Sequence, residues 1–152
     1  RVAICAVEDV GNADPMALRM VMAAWQAFEF VGLPEGEYFL AHACIYLGQA
    51  PKSNAVKRAM HGVKEAIRSA PTLEVPNHLR NAPVKGMAEQ GYGRGYVYPH
   101  DEAGGVAPGH YFPIGMPPRD FYEPTDFGAE TDIRARIEKA KQTIRTAPIA
   151  SV

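Results

Sequence analysis

The 152-residue sequence predicts an all-α fold with one long ordered loop segment, rich in aromatics, glycine and proline, at about residues 92–128. Three observations predict it. The 14 glycines and 13 prolines are unevenly spread: residues 1–70 hold 8 of them, residues 71–128 hold 18, and residues 129–152 hold only Pro148. Helix breakers therefore crowd the middle and leave both flanks free to be helical. Apolar residues in those flanks recur at helical rather than strand spacing. The middle also holds eight of the 14 aromatics, from Tyr92 to Phe127, whereas disordered linkers are poor in them. Ring packing is expected to hold this segment down.

Residues 2–9 read as the end of a helix closed by Gly11, which tolerates positive φ. Asp14 and Pro15 then supply an N-cap and a first-turn proline, so a helix runs from Pro15 to Val31 and stops at Gly32. Its polar residues Arg19, Gln26 and Glu29 form one narrow stripe on an otherwise apolar cylinder. The next helix, from about Glu35 to Gln49, is apolar on several sides, and its His42 reads as a core histidine. Ser53 caps an amphipathic helix from about Asn54 to Ser69, ended by Pro71. A shorter helix is expected from Pro83 to Gln90, with Asn81 as its cap and Gly91 closing it. Tyr96–Tyr98 is expected to make a short extended pair with Tyr111–Pro113. The last helix, from about Ala129 to Thr146, carries an apolar seam of Ile133, Ile137, Ala140 and Ile144 with Arg134, Lys141 and Arg145 behind it.

Composition excludes several classes. At 47% hydrophobic and 22% charged the chain matches a globular protein, and its length suits one domain spanning 1–152. Sixteen basic against seventeen acidic side chains leave a formal charge of −1, so no overall electrostatic footprint for nucleic acid or membrane exists. Only the tail is basic. No apolar stretch approaches the ~20 residues that span a bilayer, so no membrane partner is expected, and the compartment reads as cytoplasmic. Cys5 and Cys44 read as buried free thiols of a reducing compartment. The start at Arg1, within a helical pattern, suggests a domain of a longer protein.

Two helices as apolar as 15–31 and 35–49 need cover on most sides. They either make a central hairpin or present a face to another subunit, and both can hold together. Met16, Met20, Trp25, Phe28, Phe39 and Tyr46 are the candidate interface residues.

Catalytic patterns are absent. No Gly-Lys pair occurs, so the phosphate-cradling loop of nucleotide hydrolases is missing; none of three serines lies in a Gly-x-Ser-x-Gly elbow. The five histidines include no pair at helical i, i+4 spacing, and His100, Asp101 and His110 lack a recognisable third ligand, so no metal or cofactor is expected here. The run Gly91 to Tyr98 interleaves rings with Arg94 and suits either a tight loop or stacking on single-stranded nucleic acid. With Lys52, Asn54, Arg80 and His100, Arg94 and Tyr96 are the candidate partner or DNA contacts. Arg80 has a structural alternative, neutralising Glu74 or a carbonyl terminus.

Six strings in order along the chain resemble the C-terminal region of the RarA/MgsA family of replication-associated AAA+ ATPases, relatives of the Werner-helicase-interacting protein. They are EDVGNADP (Glu8 to Pro15), LPEG (Leu33 to Gly36), APKSNA (Ala50 to Ala55), VPNHLRNAP (Val75 to Pro83), GYGRGYVYPHD (Gly91 to Asp101) and FYEPTDFG (Phe121 to Gly128). The resemblance implies a helical domain like the collar of a clamp loader, which assembles a homotetramer; taken with the two over-apolar helices, it predicts isologous contacts that involve them. It implies a parent protein whose AAA+ module uses ATP and Mg, acts at replication forks in recombination and repair, and has DNA and single-strand-binding protein as partners, in the cytoplasm at the nucleoid. The alternative implied role is a DNA-contacting module that uses the Gly/Tyr/Arg loop and the basic tail helix.

Overall fold

Asp14 decides where the first long helix begins. Its backbone is extended at φ −137° and ψ 96°, and its Oδ1 accepts the Met16 N–H at 3.0 Å. Pro15 lies between them in a turn, and regular helix runs over Ala17–Val31, starting two residues later than the sequence predicts, with Met16 rather than Asp14 immediately before it. A computed structural model describes residues 1–70 and 73–145. These divide into two compact units, one of Arg1–Lys64 with Phe121–Ala135 and one beginning at Glu65–Asp120 and resuming at Arg136; the division falls inside two helices.

The elements in order are α1 (Val2–Cys5), α2 (Ala17–Val31), α3 (Glu37–Gln49), α4 (Ala55–Ser69), α5 (Lys85–Glu89) and α6 (Glu130–Arg145), and no strand occurs among the described residues. The chain is all-α. α1 does not run smoothly to residue 9. It widens into a π turn over Ala6–Val10, with the Gly11 N–H donating to the Ala6 carbonyl, and then tightens to a 3-10 turn over Gly11–Ala13. Pro71, Thr146 and Pro148 lie outside the described residues, as does the side chain of Arg145.

In the first unit α2 and α3 form a hairpin. Ala17, Val21 and Ala24 on α2 and Ala43, Leu47 and Ala50 near α3 recur at four and three residues, so each helix turns one narrow buried stripe to the other, with Ala6 and Val10 beside them. Small side chains let the axes approach closely. Asp14 also joins the two helices, because its Oδ2 accepts the Tyr46 hydroxyl at 2.6 Å. That bond, with burial adding to it, pushes the Tyr46 phenol above its ordinary value.

Behind the hairpin lies a carboxylate with no exposed surface, Glu130 in the first turn of α6. Its Oε2 accepts the Ser53 hydroxyl, the Thr125 N–H and the Thr125 hydroxyl, each at 2.7 Å, and its Oε1 accepts the Tyr122 hydroxyl at 2.7 Å. Tyr122 in turn accepts from the Asn12 amide at 3.0 Å. Burial alone pushes the Glu130 carboxyl up, but the bonds from Tyr122, Thr125 and Ser53 outweigh it, and the net shift is below the ordinary 4.5. Backbone closes the same knot: Ser53 N–H donates to the Asp9 carbonyl at 2.8 Å, and Ala129 N–H donates to the Ala13 carbonyl at 2.8 Å. Gly128 sits at φ +52°, where a Cβ would collide with the Ala13 carbonyl oxygen and lie 2.7 Å from Pro51 Cγ.

In the second unit the expected pairing of Tyr96–Tyr98 with Tyr111–Pro113 does not form. Residues 110–114 bond elsewhere: the Ile114 N–H donates to the Glu74 carbonyl at 3.0 Å and the His78 ring meets the His110 carbonyl at 2.9 Å. The segment is ordered by 3-10 turns at Asn77–Leu79, Pro99–Asp101 and Ala103–Gly105 more than by ring burial, since Tyr96, Tyr98 and Tyr111 are exposed. α5 is shorter than the sequence suggests. Val84 precedes it in extended conformation without a side-chain cap, so Asn81 does not cap it.

Because the native Glu130 carboxyl lies below its ordinary value, the unfolded chain binds its proton first as pH falls. The network's stability is therefore fully present above the ordinary value and lost as pH falls through the lowered native one. Urea unfolding from pH 7 to pH 3 should show this fall. Glu130→Gln should flatten it and cost about 2–4 kcal/mol at pH 7, because the amide turns a donor toward hydroxyl and N–H donors.

Candidate assembly face

The buried apolar positions among the described residues are alanine at nine places and larger only at Val10, Val21 and Leu47. A core of that composition leaves most large side chains of α2 and α3 outside it. Phe30 is 92% exposed, Tyr38 77%, Leu33 67% and Ile45 62%, with Trp25, Met16, Leu18 and Met22 also exposed. These exposed apolar side chains make the hairpin the candidate assembly face.

The candidate interface residues separate on this geometry. Met16 and Trp25 are exposed, with the Trp25 and Phe28 rings stacked at 6.1 Å between centroids; Met20 and Phe28 are half-buried. Phe39 and Tyr46 pack against the alanine core and belong to the hairpin itself. Phe30, Leu33, Tyr38 and Ile45 were absent from the sequence-based set. The signal that points to them is their position off the four-and-three alanine and valine stripe. Cys44 is exposed and Cys5 half-buried, so neither is the fully buried thiol anticipated, and His42 is exposed rather than in the core. The cause is common to Cys44 and His42: only the stripe through Ala43 and Leu47 faces α2.

The six candidate partner contacts fall in both units. Lys52 donates from Nζ to the carbonyls of Leu47 at 2.7 Å and Ala50 at 2.6 Å, capping the end of α3. Asn54 accepts from Arg58 at 2.8 Å. Arg80 is held four ways: its Nε donates to the Val75 carbonyl at 2.7 Å and its Nη1 to the Tyr92 hydroxyl at 3.2 Å, its Nη2 lies 3.8 Å from Glu74, and its guanidinium sits 5.1 Å from the Tyr92 ring centroid. Arg94 and Tyr96 are exposed, and the exposed His100 ring lies 5.0 Å from that of Tyr98. No group of three or more His, Cys, Asp or Glu among the described residues could hold a metal ion. No helix among them is long and apolar enough to cross a membrane.

A family model described as MgsA AAA+ ATPase C terminal matches residues 1–141. The chain belongs to this family. Replication-associated recombination protein A of Haemophilus influenzae is 45% identical over 148 residues, 97% of this chain and 33% of that protein. The protein of the same name from Escherichia coli K12 is 46% identical over 145 residues, 95% of this chain and 32% of its own length. The ATPase WRNIP1 of Dictyostelium discoideum is 42% identical over 95 residues, 62% of this chain and 11% of that protein. The chain thus spans about a third of the length of the first two relatives.

The strings that carry the resemblance to the MgsA C-terminal family make contacts within the chain. Asn12, Ser53, Tyr122, Thr125 and Gly128, from three strings, build the Glu130 knot. VPNHLRNAP and GYGRGYVYPHD interlock through Arg80 on Tyr92 and the Gly93 N–H on the Asn77 carbonyl at 2.7 Å. LPEG forms the turn between α2 and α3, where Glu37 N–H donates to the Pro34 carbonyl at 3.2 Å. Arg80→Lys keeps the charge but loses the planar fork. It should lower stability in urea unfolding by about 1 kcal/mol, whereas Arg94→Lys on the exposed loop should leave it unchanged.

Proposed function

We propose that this chain is the assembly domain of an AAA+ ATPase that acts in replication-associated recombination, joining copies of the parent protein into a homotetramer. One observation carries this reading: the α2–α3 hairpin buries alanines inward and leaves Phe30, Leu33, Tyr38 and Ile45 outward. A chain that stayed alone in water would keep that apolar area hydrated at a cost of about 25 cal/mol per Å2. The names of the relatives support the process, and the family description supports the parent activity. On this reading ATP and Mg act in the part of the parent outside this chain, and DNA and single-strand-binding protein are partners of the parent as a whole.

A second reading, contact with single-stranded nucleic acid through the Gly91–Tyr98 loop, has one observation in its favour. Arg94 and Tyr96 are exposed on a segment whose neighbours Tyr92 and Gly93 are anchored. The balance of charge along residues 71–128 opposes it, with four basic side chains against seven acidic ones. Anisotropy of a labelled oligothymidine at low salt tests it: binding lost in the Arg94→Ala, Tyr96→Ala double variant supports the second reading, and no binding removes it.

Sedimentation equilibrium at micromolar concentration tests the first reading. The unsubstituted chain should sediment at four times its monomer mass. Tyr38→Glu with Ile45→Glu should raise the dissociation constant at least roughly 100-fold while helical circular dichroism is retained. A monomeric unsubstituted chain overturns the assembly reading.

A further inference from the structure

The turn between α2 and α3 combines apolar bulk with charge of one sign. Phe30, Tyr38 and Leu33, the most exposed large apolar side chains among the described residues, stand there with the exposed carboxylates of Glu29, Glu35 and Glu37. No lysine or arginine occurs between Arg19 and Lys52, and no cation among the described residues pairs with any of the three carboxylates. Backbone bonds set the tip: the Gly36 N–H donates to the Gly32 carbonyl at 2.7 Å and the Tyr38 N–H to the Glu35 carbonyl at 3.2 Å. A tip held in this way loses little freedom on docking. The cover that suits it is apolar at its centre and cationic at its rim.

The first unit carries such a surface on α4. From Ala55 to Lys64 the helix has Lys57, Arg58 and Lys64 and no acidic residue. Lys57, Met60 and Lys64 follow one another at three and four residues, which sets them along one side of the helix over about 10 Å, and all three are exposed. A lysine ammonium has three donors, so the contacts these lysines make within the chain, Lys57 with Glu8 among them, leave donors for a further carboxylate. Glu8 belongs to the π turn that precedes α2, whereas the tip follows α2, a helix length of about 20 Å away. The tip of one chain therefore does not reach its own Lys57.

Resting on the assembly reading, we propose that the α2–α3 tip of one copy docks on the Lys57, Met60 and Lys64 ridge of a second copy, with its apolar side chains over Met60 and its carboxylates at the two lysines. Each copy carries one tip and one ridge, so a pair related by a two-fold axis satisfies both contacts at once. Trp25 and Ile45 lie outside the tip and remain for the second interface by which two such pairs make four copies.

Charge reversal in the whole chain, read by sedimentation equilibrium, tests the docking. A tip variant, Glu35→Lys with Glu37→Lys, and a ridge variant, Lys57→Glu with Lys64→Glu, should each raise the dissociation constant by roughly 30-fold or more, with helical circular dichroism unchanged. Mixed one to one, the two variants should return to within roughly threefold of the unsubstituted chain, because reversed tip then meets reversed ridge while the unsubstituted pair meets alongside. That recovery also separates lost docking from misfolding. Reversals that leave the constant unchanged, or a mixture that stays dissociated, overturn the docking while leaving assembly standing. A ridge variant that loses only oligothymidine binding assigns α4 to nucleic acid and overturns it equally. An unsubstituted chain that is monomeric at the same concentration overturns assembly itself.

Discussion

A buried carboxylate with no cation against it among the described residues holds the first unit together. Glu130 draws its four hydrogen bonds from the neutral groups of Ser53, Thr125 and Tyr122, so the field that stabilises its charge comes from oriented dipoles in a small enclosed space. The native pKa direction shows which effect wins: desolvation is the largest single influence, yet the summed bonds exceed it. The arrangement ties the chain at positions 12, 53, 122 and 125 to the first turn of α6, and the Ala129 N–H on Ala13 and the close approach of Gly128 fix the same spot from the backbone side. Segments more than 100 residues apart thereby become neighbours. The loop entropy this closes is large, and a network with every member satisfied supports it where a half-satisfied one would not.

That knot has a consequence for the hairpin beside it. It fixes Ala13 and Asp14, Asp14 starts α2 and accepts the Tyr46 hydroxyl, and Lys52 terminates α3 one residue before Ser53. Both helices are thus held at their ends by polar contacts, and their fully buried stripe is alanine, valine and one leucine, with Phe39 and Tyr46 packed against it. Large apolar side chains are then free to face outward. This division of labour accounts for the small inner core and for the aromatic and aliphatic surface that the hairpin leaves exposed.

Local signals were legible in the sequence and long-range ones were not. Asp14 followed by Pro15, and Ser53 ahead of Ala55, announce helix starts because a cap acts over two or three residues. The six helical segments follow from spacing and breakers for the same reason. Glu130 offered no such sign: an acidic residue in a first turn is ordinary, and its donors lie five to 77 residues away. The pairing of 110–114 with 74–78 rather than with 96–98 is likewise a tertiary choice that alternation cannot reveal. Where a helix is apolar on all sides, hydrophobicity cannot say which side faces in. Residue size can, and the alanines of α2 and α3 carried that information while Phe39 and Tyr46 drew attention away from Phe30, Leu33 and Ile45.

In the proposed assembly a self-sufficient knot supports a hairpin that further copies of the chain complete. Amide hydrogen exchange read by mass spectrometry at a series of protein concentrations tests it most directly. The account predicts that the amides of Ser53, Thr125 and Ala129 are protected equally at every concentration, while those of α2 from Met22 to Phe30 and of α3 around Tyr38 gain protection as concentration rises. Protection of α2 and α3 that is unchanged on dilution, in a chain that sediments as a monomer, would contradict it.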